Sequence, residues 1–362
     1  MVESSGRAGS SVGQVNAGLE VIVAAHGEAE SAGFFENFRV GQRTLAHSAE
    51  VMHLPAGLRW LICFAGALRK RFGKAVGSPH NAWFRSQGAA LAAVLESRLD
   101  RPVDVRVVFA SCPPLLEALI AQPGADRQRV FLSMSPSDSR LSCGLICHAL
   151  DKAGQGALVL ARLWEDPRFI ALNAAHARAA CGAAGGSSSV RTALVLVFHG
   201  TLVRDQAGRT PRFHNGLAEK RHFASELQAA LLADADAPWR EVIPAYLNHD
   251  VAGSWTEPTV AQVLDELAQR GFERVWAFAC DYVVDSSEVV GSLAQSLSAA
   301  AIPDARLLPC LNDDPSFIAF LADRVQQALQ APGVSQICDA CPRWSRAQSL
   351  DRGTSGAKSK LS

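Results

Sequence analysis

The sequence predicts an α/β protein built from two similar doubly wound domains with parallel sheets. Two observations carry this prediction: short apolar runs alternate with helical segments along most of the chain, and the two halves of the chain open in the same way. Continuous apolar runs bounded by glycine are typical of strands that are buried on both faces of a parallel sheet. Strands that alternate with helices of about 10–15 residues place helices on both faces of that sheet.

Each half begins with a predicted strand that ends in His-Gly. Leu19–Ala25 precedes His26-Gly27, and the apolar run 193–198 precedes His199-Gly200. Between the halves, the Gly- and Ser-rich stretch 181–190 is typical of a flexible linker. The expected organisation is a disordered N-terminus over 1–18, a first α/β domain over 19–180, the linker, a second α/β domain over 191–335 and a C-terminal tail over 336–362.

The remaining elements follow from the period of the apolar residues. The first half gives, in order, a helix over 81–99, a strand over 103–110, a helix over 114–121 and a strand over 129–134. The second half gives helices over 216–232, 259–270, 286–300 and 315–329, which alternate with strands over 240–246, 274–279 and 305–311. Ligands of such sheets bind beyond the carboxyl ends of the strands, where His26, His199 and Asp281 fall.

Composition and charge exclude several classes of protein. Thirty-five basic and 35 acidic residues give no net charge, which argues against a dedicated nucleic-acid binder because neutralising phosphates requires a basic surface. The nine cysteines are too irregularly spaced for a disulfide scaffold. No apolar run reaches the roughly 18 residues of a membrane span, and no secretory signal is recognised. We therefore expect a cytoplasmic enzyme or small-molecule binder.

Ordered motifs in both halves resemble those of the ferrochelatases, enzymes that insert ferrous iron into a porphyrin. In the second half the motifs are Val197-Phe198-His199-Gly200, Trp255 with Pro258-Thr259, and the stretches 277–282 and 311–317. In the first half they are Leu54-Pro55, Arg69-Lys70-Arg71, Gly77-Ser78-Pro79, Gln87 and Pro136. Together they cover roughly 19–330 in the order of the family. The resemblance implies two Rossmann-like, chelatase-like domains with the active site in the cleft between them.

Two departures from the family pattern bear on the activity. The active-site glutamate of the family aligns with Val284, and Ala25-His26-Gly27 is closer to the start of the small sirohydrochlorin-type chelatases. Three functions are therefore open. The first is ferrochelatase activity in haem biosynthesis, the second is a non-catalytic tetrapyrrole- or metal-binding paralogue, and the third is a chelatase for another metal or macrocycle.

Metal insertion needs a group that accepts pyrrole protons and ligands that hold a divalent cation. A neutral imidazole suits the first task near pH 7, and carboxylates suit the second. The residues and the resemblance together indicate His199 as proton acceptor and metal contact, with Glu288 as the main acidic partner and Asp285 as the second. Asp281 is a further catalytic candidate, and a helix N-cap explains it equally well. For His26 a structural role is favoured.

An apolar stretch that ends in basic residues is expected to form the lip of a porphyrin pocket. The candidate porphyrin contacts are Trp60, Leu61, Phe64, Tyr282 and Trp255. The same stretch suits peripheral contact with a membrane, and an amphipathic core helix explains it just as economically. The implied substrates are ferrous iron and either protoporphyrin IX or coproporphyrin III, and the oligomeric state is left open.

The C-terminal tail carries a CxxC pair, Cys338 and Cys341. In a reducing compartment such a pair is more typical of a metal or cluster site than of a disulfide. Some ferrochelatases hold a [2Fe–2S] cluster through cysteines of a C-terminal extension that begins with CxxC, so the resemblance points to such a cluster here, and a pair of ordinary surface thiols is the alternative. The nearest counterpart of the family's remote cysteine ligand is Cys143, and Cys310 or Cys280 would complete the set.

Overall fold

The computed structural model describes residues 18–48, 55–73, 77–122, 127–155, 157–183, 190–211, 213–235, 237–249 and 253–330. In the first half the strands are β1 (Leu19–Ala25), β2 (Val103–Phe109), β3 (Gln128–Ser133) and β4 (Leu158–Leu160). The helices of this half are α1 (Phe34–His47), α2 (Ala56–Phe72), α3 (His80–Arg98), α4 (Leu116–Ile120), α5 (Cys143–Lys152) and α6 (Pro167–Ala183).

The second half repeats this alternation of strands and helices. Its strands are β5 (Thr192–His199), β6 (Leu202–Arg204), β7 (Glu241–Leu247), β8 (Ser254–Trp255), β9 (Arg274–Phe278) and β10 (Asp304–Leu308). Its helices are α7 (Leu217–Leu232), α8 (Val260–Gln269), a π-helix (Glu288–Leu293) that runs directly into α9 (Ala294–Ala299), and α10 (Pro315–Gln330).

Each half contributes a four-stranded sheet, and the two sheets have the same topology. The strand orders are β2-β1-β3-β4 and β10-β9-β5-β7, while β6 and β8 form a small separate ribbon. All pairs within the two main sheets are parallel. In each sheet the first strand lies between the second and the third, so the strand order reverses beside β1 and beside β5. The predicted pair of doubly wound α/β units is confirmed.

Several predicted elements end at different residues from those expected. The strand predicted over 305–311 is β10, which stops at Leu308 because Pro309 has no N–H for the sheet ladder. The helix predicted over 286–300 begins as a π-helix. Residues 181–183, assigned to the linker from composition, form the last turn of α6. Residues 184–189, the tail from 331 onward and the N-terminus to residue 17 lie outside the described residues.

One apolar core spans both halves of the chain. Phe169 of α6 is fully buried, and its ring lies 5.6 Å from that of Phe223 on α7 and 5.8 Å from that of Phe320 on α10. Helix α6 of the first half thus packs on helices of the second, and α10 packs in return on α3. The halves are therefore held together by shared packing as well as by the chain that links them.

Polar contacts between the halves fix their relative position near the strand ends. The Gln87 side-chain amide donates to the Asn312 carbonyl at 2.5 Å, and Ser137 Oγ donates to Asp281 at 2.6 Å. Because these partners come from opposite halves, the ends of the two sheets are held in a defined arrangement around the crevice.

Candidate metal centre

Three side chains converge beyond the carboxyl ends of the second sheet. His199 is the last residue of β5, and the parallel register pairs it with Leu247 on β7. His249, two residues further along, therefore lies at the same edge of the sheet. Glu288 begins the π-helix that follows β9, the other neighbour of β5. Adjacent strands thus bring together residues that are far apart in the sequence.

The distances within this group suit a divalent cation. The Nε2 atoms of His199 and His249 are 3.2 Å apart, and carboxylate oxygens of Glu288 lie 3.7 Å from the first and 3.6 Å from the second. Nitrogen and oxygen ligands about 2.1 Å from a tetrahedral ion are about 3.4 Å from one another. Since all three potential ligand atoms lie within 4.8 Å of one another, the group can close around one metal ion.

The imidazole of His199 is held in the tautomer that a metal ligand needs. Its Nδ1 lies 2.7 Å from the carbonyl oxygen of Gly200, which can only accept a hydrogen bond, so Nδ1 carries a proton and Nε2 is the atom that bears the lone pair in the neutral imidazole. A Cβ at Gly200 would lie 2.7 Å from the Asn248 Cα. The His-Gly sequence therefore fits the close approach of the ends of β5 and β7.

Glu288 is ionised and hydrogen-bonded at the centre. The Tyr282 hydroxyl donates to it at 2.7 Å. Partial burial acts to raise the pKa of Glu288, but the neighbouring His199 and His249 and the Tyr282 hydrogen bond outweigh it, and the pKa is lowered overall. Burial and the Glu288 charge raise the pKa of Tyr282, which stays a phenol and a donor. A carboxylate in this state is suited to bind a cation.

Asp281 does not join the group of three ligands but holds the backbone of His199 in place. Its buried carboxylate accepts hydrogen bonds from the His199 backbone N–H at 3.2 Å and from Ser137 Oγ at 2.6 Å. The ammonium of Lys220, itself buried, lies 3.7 Å away. Asp281 does not cap a helix. It fixes the end of β5, which carries His199, instead of adding a ligand to the group of three.

Asp285 is engaged in the loop that precedes the π-helix. Its carboxylate accepts from the Cys310 backbone N–H at 3.1 Å and from the Asn312 side-chain amide at 2.9 Å. The adjacent Val284 is buried in the core shared by the halves. Of the predicted acidic candidates, Glu288 is therefore the one that the fold brings beside His199.

The predicted porphyrin contacts separate into two groups. Tyr282 and Trp255 flank the centre, since the Tyr282 ring lies 6.0 Å from that of His199 and the Trp255 ring lies 5.6 Å from that of His249. Trp60 stacks on Phe64 at 5.1 Å within α2. This second group packs against α1, through ring contacts of Phe34 with Phe64 and of Phe38 with Trp60, while Leu61 remains exposed.

His26 marks the corresponding point of the first half, at the end of β1. Its Nε2 lies 3.2 Å from Thr44 Oγ1 and 3.4 Å from Ser111 Oγ. The surrounding protein partly desolvates His26 and thereby lowers its pKa. The charge of Glu288 across the crevice acts to raise the same pKa, but by less. His26 is thus a neutral imidazole that faces the second half, with local hydrogen bonds of the kind a structural role requires.

The described cysteines do not fit an iron–sulfur cluster. Cys143, Cys280 and Cys310 are all buried, and among the described residues they do not join any group of three or more potential metal ligands. Cluster ligands are thiolates that must reach one common site. Cys338 and Cys341 lie outside the described residues, and the cluster stays a prediction.

His249 was missed by the sequence analysis. It follows the predicted strand 240–246, so the strand-end argument that selected His199 applies to it as well. What the sequence lacked was the order of strands, because only adjacency of β5 and β7 brings the two imidazoles together.

In the described part of the chain, no helix is both long enough and apolar enough to cross a bilayer.

The fold and the site define a doubly wound α/β protein with a candidate metal centre at its strand ends. Residues 20–329 match the model of the ferrochelatase family. Because this match covers most of the chain, the protein belongs to the ferrochelatase family, as its motifs predicted.

Relatives within this family are distant. A ferrochelatase of Xylella fastidiosa (strain M23) is 30% identical over 168 residues, which span 46% of this chain and about half, 49%, of that protein. A ferrochelatase of Nitrosococcus oceani is 24% identical over 307 residues, or 77% of this chain and 78% of that protein. Among solved structures, CbiX, the terminal enzyme for biosynthesis of siroheme in denitrifying bacteria, aligns over 86% of this chain and 100% of its own, with 16% identity and a TM-score of 0.50. That likeness concerns the fold.

Proposed function

We propose that this protein is a chelatase that inserts ferrous iron into a porphyrin in haem biosynthesis. The observation that carries the proposal is the group of His199, His249 and Glu288, whose potential ligand atoms lie within 4.8 Å of one another at the strand ends. Two imidazoles and one carboxylate form a ligand set that suits ferrous iron. In this proposal the metal is a substrate that the centre receives and passes on.

The reaction exchanges one divalent metal ion for the two pyrrole protons of the macrocycle. His199 offers its Nε2 lone pair, first to the metal and then to a pyrrole proton once the metal has left. Glu288 balances the charge of the ion and relays protons outward, with Tyr282 holding one of its oxygens through a 2.7 Å hydrogen bond. His249 completes the ligand set. Tyr282 and Trp255, which flank the imidazoles, form the wall against which the flat ring lies.

The proposal also includes the surface of α2. This helix carries four basic residues and no acidic one, and Trp60, Leu61 and Phe72 expose apolar side chains on it. Such a surface suits peripheral contact with an anionic membrane, from which a porphyrin with an apolar ring reaches a cytoplasmic enzyme. Trp60, Leu61 and Phe64 then form the lip of the porphyrin pocket.

A chelatase for another metal or macrocycle is the second candidate. It is favoured by His249, because two imidazoles with a carboxylate suit cobalt and nickel as well as iron. The non-catalytic paralogue was suggested by Val284 at the position of the family glutamate. The ionised Glu288 beside His199 weighs against it, since the site has a carboxylate without that residue.

The test is metallation by the purified full-length protein under anaerobic conditions. Fe²⁺, Co²⁺ and Ni²⁺ are each combined with protoporphyrin IX, coproporphyrin III and sirohydrochlorin, and the reaction is followed by absorbance. We expect iron insertion into one of the two porphyrins, with loss of turnover in His199→Ala. Turnover with sirohydrochlorin alone would select the second candidate, and macrocycle binding without any metallation would select the paralogue.

A further inference from the structure

We propose that Glu28, a residue of the first half, positions the metal ligand Glu288 by capping the π-helix from across the crevice. This inference deepens the proposed function and rests on it. Glu28 is a positioning residue, because it acts on Glu288 through the backbone of the intervening helix start.

The hydrogen bond that supports this proposal joins the two halves at the residue that precedes the candidate ligand Glu288. Glu28 Oε2 accepts a hydrogen bond from the backbone N–H of Ser287 at 2.9 Å, and Ser287 immediately precedes Glu288. The first N–H groups of a helix have no partner within it, and a carboxylate at that end is also favoured by the helix dipole. The hydroxyl of Ser286 takes a neighbouring donor, the Val289 N–H, at 3.3 Å. The cap is therefore shared between a local side chain and one from the other half.

Glu28 is presented by a rigid turn. The Asn81 side chain, which is buried, accepts from the Glu28 N–H at 3.0 Å and donates to the Glu28 carbonyl at 2.7 Å. Gly27 has a φ of +85°, and a Cβ there would lie 2.6 Å from the Phe109 Cβ. Since the backbone on both sides of the Glu28 side chain is fixed, its carboxylate can hold the start of the π-helix in one place.

A π-helix start is where such support has most effect. The wider i→i+5 turn is rare and occurs mostly as a single turn within an α-helix, frequently at functional sites. Glu288 is the first residue of this turn, so the direction of its side chain follows the placement of the Ser287–Glu288 peptide. Glu28 sets that placement. The third ligand is consequently in position only when the two halves are docked.

The test measures metal affinity separately from turnover. Full-length protein is titrated with Co²⁺, whose visible absorption reports the strength and the geometry of its coordination. We expect Glu28→Ala to weaken Co²⁺ binding by about tenfold, as loss of outer-sphere support typically does, and to alter the visible spectrum. Glu28→Gln should stay close to wild type, because its amide oxygen can accept the same hydrogen bond. In turnover, Glu28→Ala should lower kcat and leave the KM for porphyrin nearly unchanged.

A matched control is another polar contact between the halves. Arg98 and Asp323 pair at 2.7 Å between α3 and α10, so Asp323→Ala loosens the interface without touching the π-helix. Wild-type Co²⁺ affinity in folded Glu28→Ala would overturn the proposal. So would an equal loss in Asp323→Ala, or a Glu28→Gln variant as weak as Glu28→Ala. Failure of the proposed function is recognised separately: wild-type Co²⁺ binding would then be absent or insensitive to His249→Ala.

Discussion

At the scale of single residues, Asp285 and Glu288 show how two nearby carboxylates take different roles. Asp285 is occupied by the Cys310 N–H and the Asn312 amide, whereas Glu288 faces His199 and His249. We expect Glu288→Gln to lower metallation by about 100-fold, a normal scale for a proton-transfer group. Porphyrin binding, measured by fluorescence quenching, should persist.

Asp285→Asn is the matched control for that substitution. An amide cannot accept from both donors as the carboxylate does, so the free energy of unfolding should fall by about 1–3 kcal/mol, as measured by urea denaturation. Turnover per folded molecule should remain near that of wild type. If Asp285→Asn abolishes metallation while Glu288→Gln does not, the assignment of the acidic partner is reversed.

His249 carries a second prediction at this scale. Its Nε2 lies 3.2 Å from that of His199, so His249→Ala removes one of the three ligands. Affinity for Co²⁺, measured by equilibrium titration, should fall by at least about tenfold. His148→Ala, which removes an exposed histidine of α5, should leave the affinity unchanged. Equal affinity in the His249 and His148 variants would remove His249 from the centre.

At the scale of elements, helix α2 exposes much of its apolar surface to solvent. Leu61 is 55% exposed and Phe72 is 78% exposed, and the basic residues lie mainly in the last turn. We expect the protein to sediment with vesicles that contain anionic lipid at low salt. The Leu61→Gln/Phe72→Gln double variant should sediment less, since binding scales with buried apolar area and charge attraction.

The control for this surface is Leu232→Gln on α7. Leu232 is also an exposed leucine, 51% accessible, but it lies in the second half at the end of another helix. It should not alter vesicle binding. Sedimentation that is equal in wild type and the α2 variant, or that is absent at low salt, would leave α2 without a membrane role.

At the scale of the whole molecule, the shared core predicts that both halves unfold together. Phe169 of the first half packs against Phe223 and Phe320 of the second. Truncation of a buried phenylalanine typically costs about 3–5 kcal/mol, so Phe169→Ala should lower the free energy of unfolding by that amount. Urea transitions followed by far-UV circular dichroism and by tryptophan fluorescence should coincide in wild type. Two separated transitions would show instead that each half is stable alone.

Much of this architecture was predictable from the sequence because it depends on local pattern. Apolar runs such as Leu19–Ala25 predict buried strands wherever they occur, and their repetition predicts the duplicated units. The strand-end argument and the family motif together selected His199, and helical spacing together with an acidic position of the family selected Glu288. Both inferences need only the order of residues along one segment, so they did not depend on how the segments pack.

The sequence by itself therefore determined the α/β class, the duplication, the family motifs and two members of the candidate centre. Only the tertiary structure decided that His249 joins them, that Asp281 and Asp285 hold backbone instead, and that Glu28 contacts Ser287. Each of these outcomes depends on which strands are neighbours and how the halves dock. Such contacts join residues separated by 25 to 259 positions, and no local periodicity specifies a distance between segments that meet only after folding.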